Sequence, residues 1–340
     1  MTTTHPTPST SAAGAAPART PAKSPLVRVL GNTAAGPLAA LIIAVAVFAL
    51  TTDTFFTLDN GSLIVEQFLV IGTLAMGQTL IILTAGIDLA NAAVMVLGTL
   101  VIARLGQHTL PGGLALVTGI LLCTAIGAVS GSLVTRLRLP PFIVTLGVLS
   151  VLTATSQLYA GGESFPVTSD VLTFLGTRSY LFGQIEVTYG MGVMVILAVG
   201  LWFLLAQTSW GRNVYAVGDD EEAARLTGIN TRRTLLSVYV LAGFVYAIAA
   251  WQALGRIPNA DPNAFQTGNL DSITAVVIGG TSLFGGRGGI PGTVLGALVV
   301  TVLANGLTQA RIDSLYQQVA TGILVIAAVA VDRVIRGRAA

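Results

Sequence analysis

The stretch "LDSITAVVIGGTSLFGGRGGIPGTVLGALVVTVLANGL", Leu270 to Leu307, decides how the chain is built. It contains two apolar runs, and between them the segment Ile278 to Gly292 holds seven glycines and one proline. Glycine makes the backbone permissive and proline removes a hydrogen-bond donor, so this segment predicts a break in helical structure. The surrounding sequence decides whether the break is a phosphate-binding loop, a surface loop or a gap in a membrane helix.

Composition places the whole chain in a lipid bilayer. Of its 340 residues, 53% are hydrophobic and 9% are charged, and the mean hydropathy is +0.81, whereas a soluble domain carries about 25% charged residues. One membrane domain is therefore expected instead of two soluble ones. The single cysteine, Cys123, lies in an apolar run and is expected to be buried. With only two histidines, His5 and His108, the chain predicts no metal site.

Ten apolar runs predict the architecture. They lie near 36–52, 61–84, 89–105, 113–134, 140–160, 190–207, 234–254, 270–285, 290–310 and 315–332. Several approach the roughly 20 residues that cross a hydrocarbon core, and they must be helical because lipid offers the backbone no hydrogen-bond partner. We predict an all-α polytopic membrane protein with about ten transmembrane helices, some short or broken, in a domain over residues 35–335. An eight-helix arrangement with re-entrant short segments is the alternative.

The basic residues predict the orientation of these helices. With the N-terminus inside, 13 of the 17 Lys and Arg residues fall on inner loops and 4 near the outer edge, which places both termini in the cytoplasm. Residues 1–34, rich in Thr, Ser, Pro and Ala, predict a disordered cytoplasmic tail. On the outer side, the loop 161–189 predicts a short amphipathic helix that opens at Ser169 or Asp170. That helix is either an external contact surface or an interfacial cover of the bundle.

A short exposed helix is predicted in the inner loop 208–233. In "GDDEEAARLTGIN" four acidic residues fall at its N-cap and first turn, where the helix dipole favours negative charge, and a glycine ends it. Glu221 and Arg225 are spaced for an ion pair. Leu226 and Ile229 leave an apolar edge that suits the docking of a separate motor subunit, whereas a solvated loop helix is the alternative. The predicted docking residues are Asp219, Asp220, Glu221, Glu222, Arg225, Leu226 and Gly228.

The glycine-rich segment lacks the lysine of a nucleotide-binding loop. A Walker A loop places a lysine after its glycines, and the only lysine in the chain is Lys23, so we predict no ATPase site here. Gly288, Gly292 and Gly296 are spaced by four residues and predict a close helix-packing face. The residues before them predict a discontinuity with hydroxyl groups available to a polar solute: Gly279, Gly280, Thr281 and Ser282.

A second interruption occurs at "LTAGIDLANAA", Leu83 to Ala93. Glycine-interrupted segments in both halves of a transporter point to a binding site near the membrane midplane. Asp88, an ionisable residue between apolar runs, is a candidate for that site, although a helix N-cap at the membrane edge is an equal alternative for it. The predicted substrate pathway consists of Asp88, Asn91, Gly279, Gly280, Thr281 and Ser282.

Five motifs occur in the order "LTAGIDLA", "PPFIVTLGVL", "GRNVYAVGDDEEAARLTGIN", "LDSITAVVIGGTSLFGGRGGIPGTVLGALVVTVLANGL" and "YQQVATGILVIAAVAVD". Together they resemble the permease subunits of bacterial ABC-type monosaccharide importers of the ribose, xylose and fructose type, over roughly residues 35–335. The resemblance implies ten helices in the bacterial plasma (inner) membrane, and residues 219–230 as the coupling helix. It also implies three partners: a second permease copy or paralogue, cytoplasmic ATPase subunits that hydrolyse ATP, and an external solute-binding protein.

The sequence leaves the transported solute open. Relatives commonly continue the GIDL motif with small Ser and Gly residues, whereas this chain has Ala90, Asn91 and Ala92. Permeases for nucleosides, a furanone-type signal molecule or branched-chain amino acids are alternatives within the importer class. From another class, a proton-coupled secondary transporter would use Asp88, Glu66 or Asp271 as its proton carrier. We expect membrane lipid around the chain, no bound cofactor and no nucleic-acid partner.

Overall fold

The computed structural model describes residues 35–181, 185–313, 315–323, 326 and 330. The predicted tail, 1–34, and the end of the predicted last helix therefore lie outside the described residues. Nearly all the described regular structure is helical, as predicted. The helices are α1 (Ala35–Thr51), α2 (Leu58–Leu83), α3 (Asn91–His108), α4 (Gly112–Arg136), α5 (Pro141–Ala160), α6 (Asp170–Thr173), α7 (Tyr189–Gln207), α8 (Ser209–Asp219), α9 (Glu221–Leu226), α10 (Thr231–Arg256), α11 (Gly268–Ile278) and α12 (Ile290–Gln309).

Six of these helices are long and apolar enough to cross a membrane, by length and composition among the described residues: α2, α4, α5, α7, α10 and α12. Helices α1 and α11 are apolar but shorter. The prediction of a polytopic membrane protein is thus confirmed at the level of many apolar spans. The number of ten, and the side on which the termini lie, stay predictions.

The helices separate into a central and a peripheral group. In the most apolar 18-residue stretch of α2, 72% of the residues are buried inside the protein, against 22% in the corresponding stretches of α5 and α7. A helix that is apolar on all sides is buried among other helices, whereas one with a single packed face leaves the rest to lipid. Helices α2, α3 and α10 therefore form the core, and α4, α5 and α7 lie around it. Cys123 of α4 is fully buried against α3, as predicted, where its thiol donates to the Val94 carbonyl.

Two short segments of β-structure close the end of the bundle that follows α5. Strand β1 (Phe165–Pro166) pairs with β4 (Asn259–Ala260), and β2 (Arg178–Leu181) pairs with β3 (Ile185–Thr188) as an antiparallel hairpin. The predicted short helix is confirmed, because α6 begins at Asp170 with Ser169 at its N-cap position. The sequence analysis did not predict the hairpin. We call this the hairpin end of the bundle, and the opposite end, which carries α8 and α9, the α9 end.

The helix break in the opening stretch is confirmed, and it begins at the predicted glycines, before the apolar run ends. Helix α11 ends at Ile278 and not near 285, because Gly280 already adopts a φ of +82°. A left-handed conformation of this kind suits glycine and stops a right-handed helix. Helix α11 is therefore only 11 residues long.

The two predicted sets of glycines share packing contacts, and the predicted pathway role of the first set stays a prediction. Gly292 and Gly296 pack against α11 as predicted, but their contact is the backbone of Gly279 and Ala275, so Gly279 belongs to the packing face. Gly288 does not, because it precedes α12 and has a φ of +126° beside Thr281. The chain thus folds α11 back against α12 through backbone-to-backbone contact, which only residues without a side chain allow.

We expect Gly292→Ala to destabilise the purified protein by about 1–3 kcal/mol, the usual cost of overpacking, because the added methyl group would overlap the Gly279 carbonyl. The control is Gly200→Ala in α7, where a methyl group meets nothing within 4 Å. Thermal or denaturant unfolding in detergent measures both. Equal stability of the two variants would contradict the close contact between α11 and α12.

Candidate functional site: a junction of two helix breaks

The first break, residues 84–90, separates α2 from α3 and turns through Ala85, whose φ is +59°. Asp88 lies in it and is 5% exposed. One carboxylate oxygen, Oδ1, accepts from the backbone N–H of Ala90 at 2.8 Å, and Oδ2 accepts from the Tyr246 hydroxyl of α10 at 3.1 Å. Asp88 therefore stabilises the turn before α3, but the N-cap position itself is Ala90.

Asn91, the first residue of α3, joins the first break to α11. It is fully buried, and its Nδ2 donates to the Ser272 hydroxyl at 2.6 Å. The Ser272 hydroxyl donates to the Asn269 carbonyl at 2.8 Å, and the Asn269 amide donates to the Leu89 carbonyl at 3.3 Å. A closed set of hydrogen bonds thus holds the start of α3 against the start of α11.

Gln78 of α2 completes this polar cluster. Its fully buried amide faces the backbone of Asp88, and in the amide orientation that satisfies both groups it accepts from the N–H at 3.2 Å and donates to the carbonyl at 3.0 Å. Polar groups inside a bilayer protein must find protein partners because lipid provides none. The cluster gives most of these groups such partners, whereas the buried Tyr239 hydroxyl nearby has no hydrogen-bond partner among the described residues.

The second break, residues 279–289, forms a compact loop that bonds to itself. The Thr281 hydroxyl accepts from the Gly289 N–H at 3.2 Å, and the Ser282 N–H donates to the Arg287 carbonyl at 3.0 Å. Both side chains are buried. The Thr281 hydroxyl therefore fixes the shape of the loop, where the sequence analysis predicted it to be available to a solute. Tyr215 of α8 anchors the same loop, donating to the Gly288 carbonyl at 2.9 Å, and burial raises the pKa of its phenol.

The two breaks meet each other and the end of α8 at one point. The Gly286 N–H donates to the Leu83 carbonyl at 3.0 Å. A side chain at Gly218, the penultimate residue of α8, would overlap that same carbonyl and would lie 2.8 Å from the Gly286 nitrogen. We call Leu83, Gly218 and Gly286 the junction. It joins α2, the second break and the segment that leads to α9.

Helix α9 confirms the predicted short helix, with two corrections. Its N-cap is Asp220, whose Oδ1 accepts from the Ala223 N–H at 2.9 Å, while Asp219 ends α8 and so is not part of α9. Arg225 pairs with Glu222, three residues before it, and not with the predicted Glu221, four residues before it. Beyond α9, Gly228 adopts a φ of +89° and stops the helix as predicted.

The apolar edge predicted for α9 is present. Leu226 is 79% exposed, and no described part of the chain covers it. Beside α9 opens a cavity of about 960 Å³, bounded by the end of α4, the start of α5, and α8, α9 and α10. Five of the predicted docking residues line it: Asp219, Asp220, Glu221, Glu222 and Arg225.

Several members of the cluster and the junction escaped the sequence analysis. Gln78 carried a usable signal, because an amide inside a run of apolar residues must find a partner within the protein. Tyr246, Ser272 and Gly218 carried none, because their importance depends on which helices meet. Among the described residues, no group of three or more His, Cys, Asp or Glu side chains lies close enough to hold a metal ion.

We expect Tyr246→Phe to lower stability by about 1–3 kcal/mol, the cost of leaving a buried acceptor without its donor, because the change removes the hydroxyl bonded to Asp88. Tyr189→Phe is the control: its ring stacks on Phe174 at 4.8 Å and is 45% exposed. Unfolding of both purified variants measures the difference. If Tyr246→Phe is as stable as Tyr189→Phe, the hydrogen bond to Asp88 does not support the first break.

Comparison with known proteins agrees with this architecture. The family model described as "Branched-chain amino acid transport system / permease component" matches residues 62–329. The chain is 42% identical to the fructose import permease protein of Rhizobium meliloti, over 91% of this chain and 88% of that protein. It is 36% identical to the ribose import permease protein of Bacillus subtilis (88% and 92%) and 34% identical to the D-allose transport system permease protein of Escherichia coli (87% and 90%).

No solved structure shows a significant match to the chain. The family model nevertheless covers most of the sequence, and the relatives align over nearly their whole length. The first four motifs, the two helix breaks and the exposed helix α9 lie within that matched region, and the fifth motif, residues 316–332, extends three residues beyond it. The chain belongs to the family of membrane permease subunits of ATP-binding cassette importers.

Proposed function

We propose that this permease forms the translocation pathway for a monosaccharide across the bacterial plasma membrane. The observation that carries the proposal is the 42% identity to a fructose import permease over nine-tenths of the chain. Further relatives at 30–36% identity are import permeases for ribose, allose and galactose. The family model is named for branched-chain amino acids, but these relatives favour a sugar.

In this proposal the permease does not hydrolyse ATP itself and is driven by a separate ATPase subunit. Its one lysine, Lys23, lies outside the region that matches the family, so a Walker A loop has no lysine to place on a phosphate. A cytoplasmic ATPase subunit therefore hydrolyses ATP, and the permease itself binds no cofactor. An external solute-binding protein delivers the sugar to the hairpin end, and a second permease copy, identical or paralogous, forms the other half of the pathway.

The ATPase subunit docks on α9 and the cavity beside it. On this surface the acidic side chains of α9 line the cavity, and Leu226 is exposed because no described helix of the bundle packs against it. A charged rim around a small apolar contact is a common arrangement in protein interfaces. The assignment makes the α9 end cytoplasmic, in agreement with the 13 basic residues predicted on that side.

Movement of α9 reaches the pathway through the junction. Helix α8 ends at Asp219, one residue before the N-cap of α9, and its Gly218 lies against Leu83, which directly precedes the first break, and against Gly286 in the second. A displacement of α8 therefore shifts the Leu83 carbonyl and the loop 279–289 together. The solute pathway then depends on the orientation of the segments that these breaks connect, with Asp88 and Asn91 in the first and Gly279 to Ser282 in the second.

Reconstitution tests the function. We expect proteoliposomes that contain this chain, its ATPase subunit and its solute-binding protein to take up a labelled sugar when ATP is supplied, and the purified chain alone to hydrolyse no ATP. Fructose, ribose, allose and galactose are compared with leucine and adenosine as competitors. Uptake of leucine or adenosine in preference to every sugar would overturn the substrate class. Uptake driven by a proton gradient without ATP would overturn the importer mechanism.

The docking surface is tested by reversing one charge. We expect Glu222→Lys to reduce co-purification of the ATPase subunit at least tenfold, because it places a cation in the first turn of α9 and breaks the pair with Arg225. The matched control is Glu163→Lys, an equally exposed glutamate at the hairpin end. Both variants should reach the membrane in equal amounts. Unchanged co-purification of Glu222→Lys would refute docking on α9.

A further inference from the structure

A second, smaller pocket lies at the hairpin end of the bundle, and none of its lining residues belongs to the junction. It encloses about 120 Å³ between the outer part of α2, the hairpin and the last turns of α10. Polar side chains from all three elements line it: Glu66, Arg178, Thr188, Gln252 and Arg256. Arg178 is half exposed, so the pocket opens to the surface, whereas Gln252 and Thr188 are more than nine-tenths buried and form its floor.

The floor of this pocket presents polar groups without partners. The Gln252 amide donates to the Gly190 carbonyl at 3.3 Å, but among the described residues neither its Oε1 nor the Thr188 hydroxyl has a hydrogen-bond partner. The Arg256 guanidinium is only partly buried and forms no hydrogen bond or ion pair with the described residues, although the Glu66 carboxylate attracts it. Buried polar groups normally have partners, and leaving one unpaired costs about 1–3 kcal/mol. A bound molecule that supplies both donors and acceptors would satisfy all three.

Charge indicates what kind of molecule fits. Arg178 bonds to Glu66 at 3.1 Å and to Glu186 at 2.9 Å, so one cation already lies between two carboxylates. Glu66, Arg178 and Arg256 line the pocket and Glu186 lies just outside it, paired with Arg178, so that the two positive and two negative charges around the pocket cancel. The pocket therefore has no net charge to attract an ion. Hydroxyl groups suit it, because each both donates and accepts a hydrogen bond.

Size limits the part of a molecule that can enter. A water molecule occupies about 30 Å³ in the liquid, so 120 Å³ holds about four waters or one short two-hydroxyl segment. Pockets that enclose a whole ligand are usually about 300–1,000 Å³. A monosaccharide would insert one end and leave its remainder outside, toward the exposed Arg178.

We propose that this pocket is an entry site that binds the diol end of a polyhydroxylated solute through Gln252, Thr188 and Arg256. The inference rests on the proposed sugar transport and assigns its first contact on the permease. The ion pair of Arg178 with Glu66 of α2 holds the hairpin over the pocket, so the bound end lies between the hairpin and α10. Water supplies the same hydroxyl chemistry when solute is absent, and the solute displaces it.

The experiment measures direct binding to the full-length purified permease in nanodiscs, without partner subunits. Saturation-transfer NMR detects weak contacts of D-fructose, D-ribose and 1,2-propanediol, and 1-propanol serves as the probe that lacks the second hydroxyl. We expect transfer to the three polyhydroxylated probes, reduced at least threefold in Gln252→Leu and in Thr188→Val. Gln157→Leu, the same substitution at an outer position away from the pocket, should leave it unchanged. Gel filtration and thermal unfolding check that each variant is folded. Thr188→Val keeps the shape of the side chain, so it still tests the proposal if Gln252→Leu does not fold.

Three results overturn the entry site. Transfer that is absent from wild type, or equal in Thr188→Val and wild type, means that the pocket holds water only. Transfer as strong from 1-propanol as from 1,2-propanediol means that the contact is apolar. The proposed function fails differently, since it fails if the complete wild-type system takes up no sugar. If wild type transports a sugar and Thr188→Val does so with an unchanged KM, the entry site is wrong while the permease function stands.

Discussion

One backbone contact sets how the two helix breaks meet: Gly218 of α8 lies against the Leu83 carbonyl where the Gly286 N–H also bonds. The end of α2, the second helix break and the connection to α9 can meet there only because glycine lacks a side chain. Close backbone approach lets packing and hydrogen bonds act together, which is how helices associate where lipid removes the hydrophobic driving force. Both interruptions of the bundle are fixed relative to each other by this contact.

The polar cluster above the junction explains how two broken helices are tolerated in a membrane protein. Each break leaves backbone groups that lipid cannot bond, and buried side chains supply partners. Asp88 accepts a hydrogen bond from the Ala90 N–H, and Gln78 faces the backbone of Asp88. Asn91 donates a hydrogen bond to Ser272 of α11. The same side chains that point to a substrate site therefore also hold the fold. A variant that loses transport at one of them must be shown to be folded before it is assigned to the pathway.

Sequence could predict what depends on local chemistry. The apolar runs, the break after Ile278, the stop at Gly228 and the N-cap Ser169 follow from hydropathy, glycine and capping, and the structure confirms them. Tertiary contacts could not be predicted from the same patterns. Gly279 was assigned to a pathway and packs against α12, because a glycine spacing does not say which helix lies opposite. The strands of the hairpin have only four residues each, too few for an alternation of apolar and polar residues to predict them.

The two ends of the bundle differ in a way that suits transport with an external motor. The hairpin end has a small neutral pocket with unpaired hydrogen-bonding groups, whereas the α9 end has a large cavity with charged walls and an exposed helix. A partner can shift the protein only by binding one conformation better than another. That preference must reach the pathway through elements that move as rigid bodies, since a soft connection would absorb the displacement. In the proposed mechanism this is the role of the junction, whose glycine contacts contain no flexible side chains.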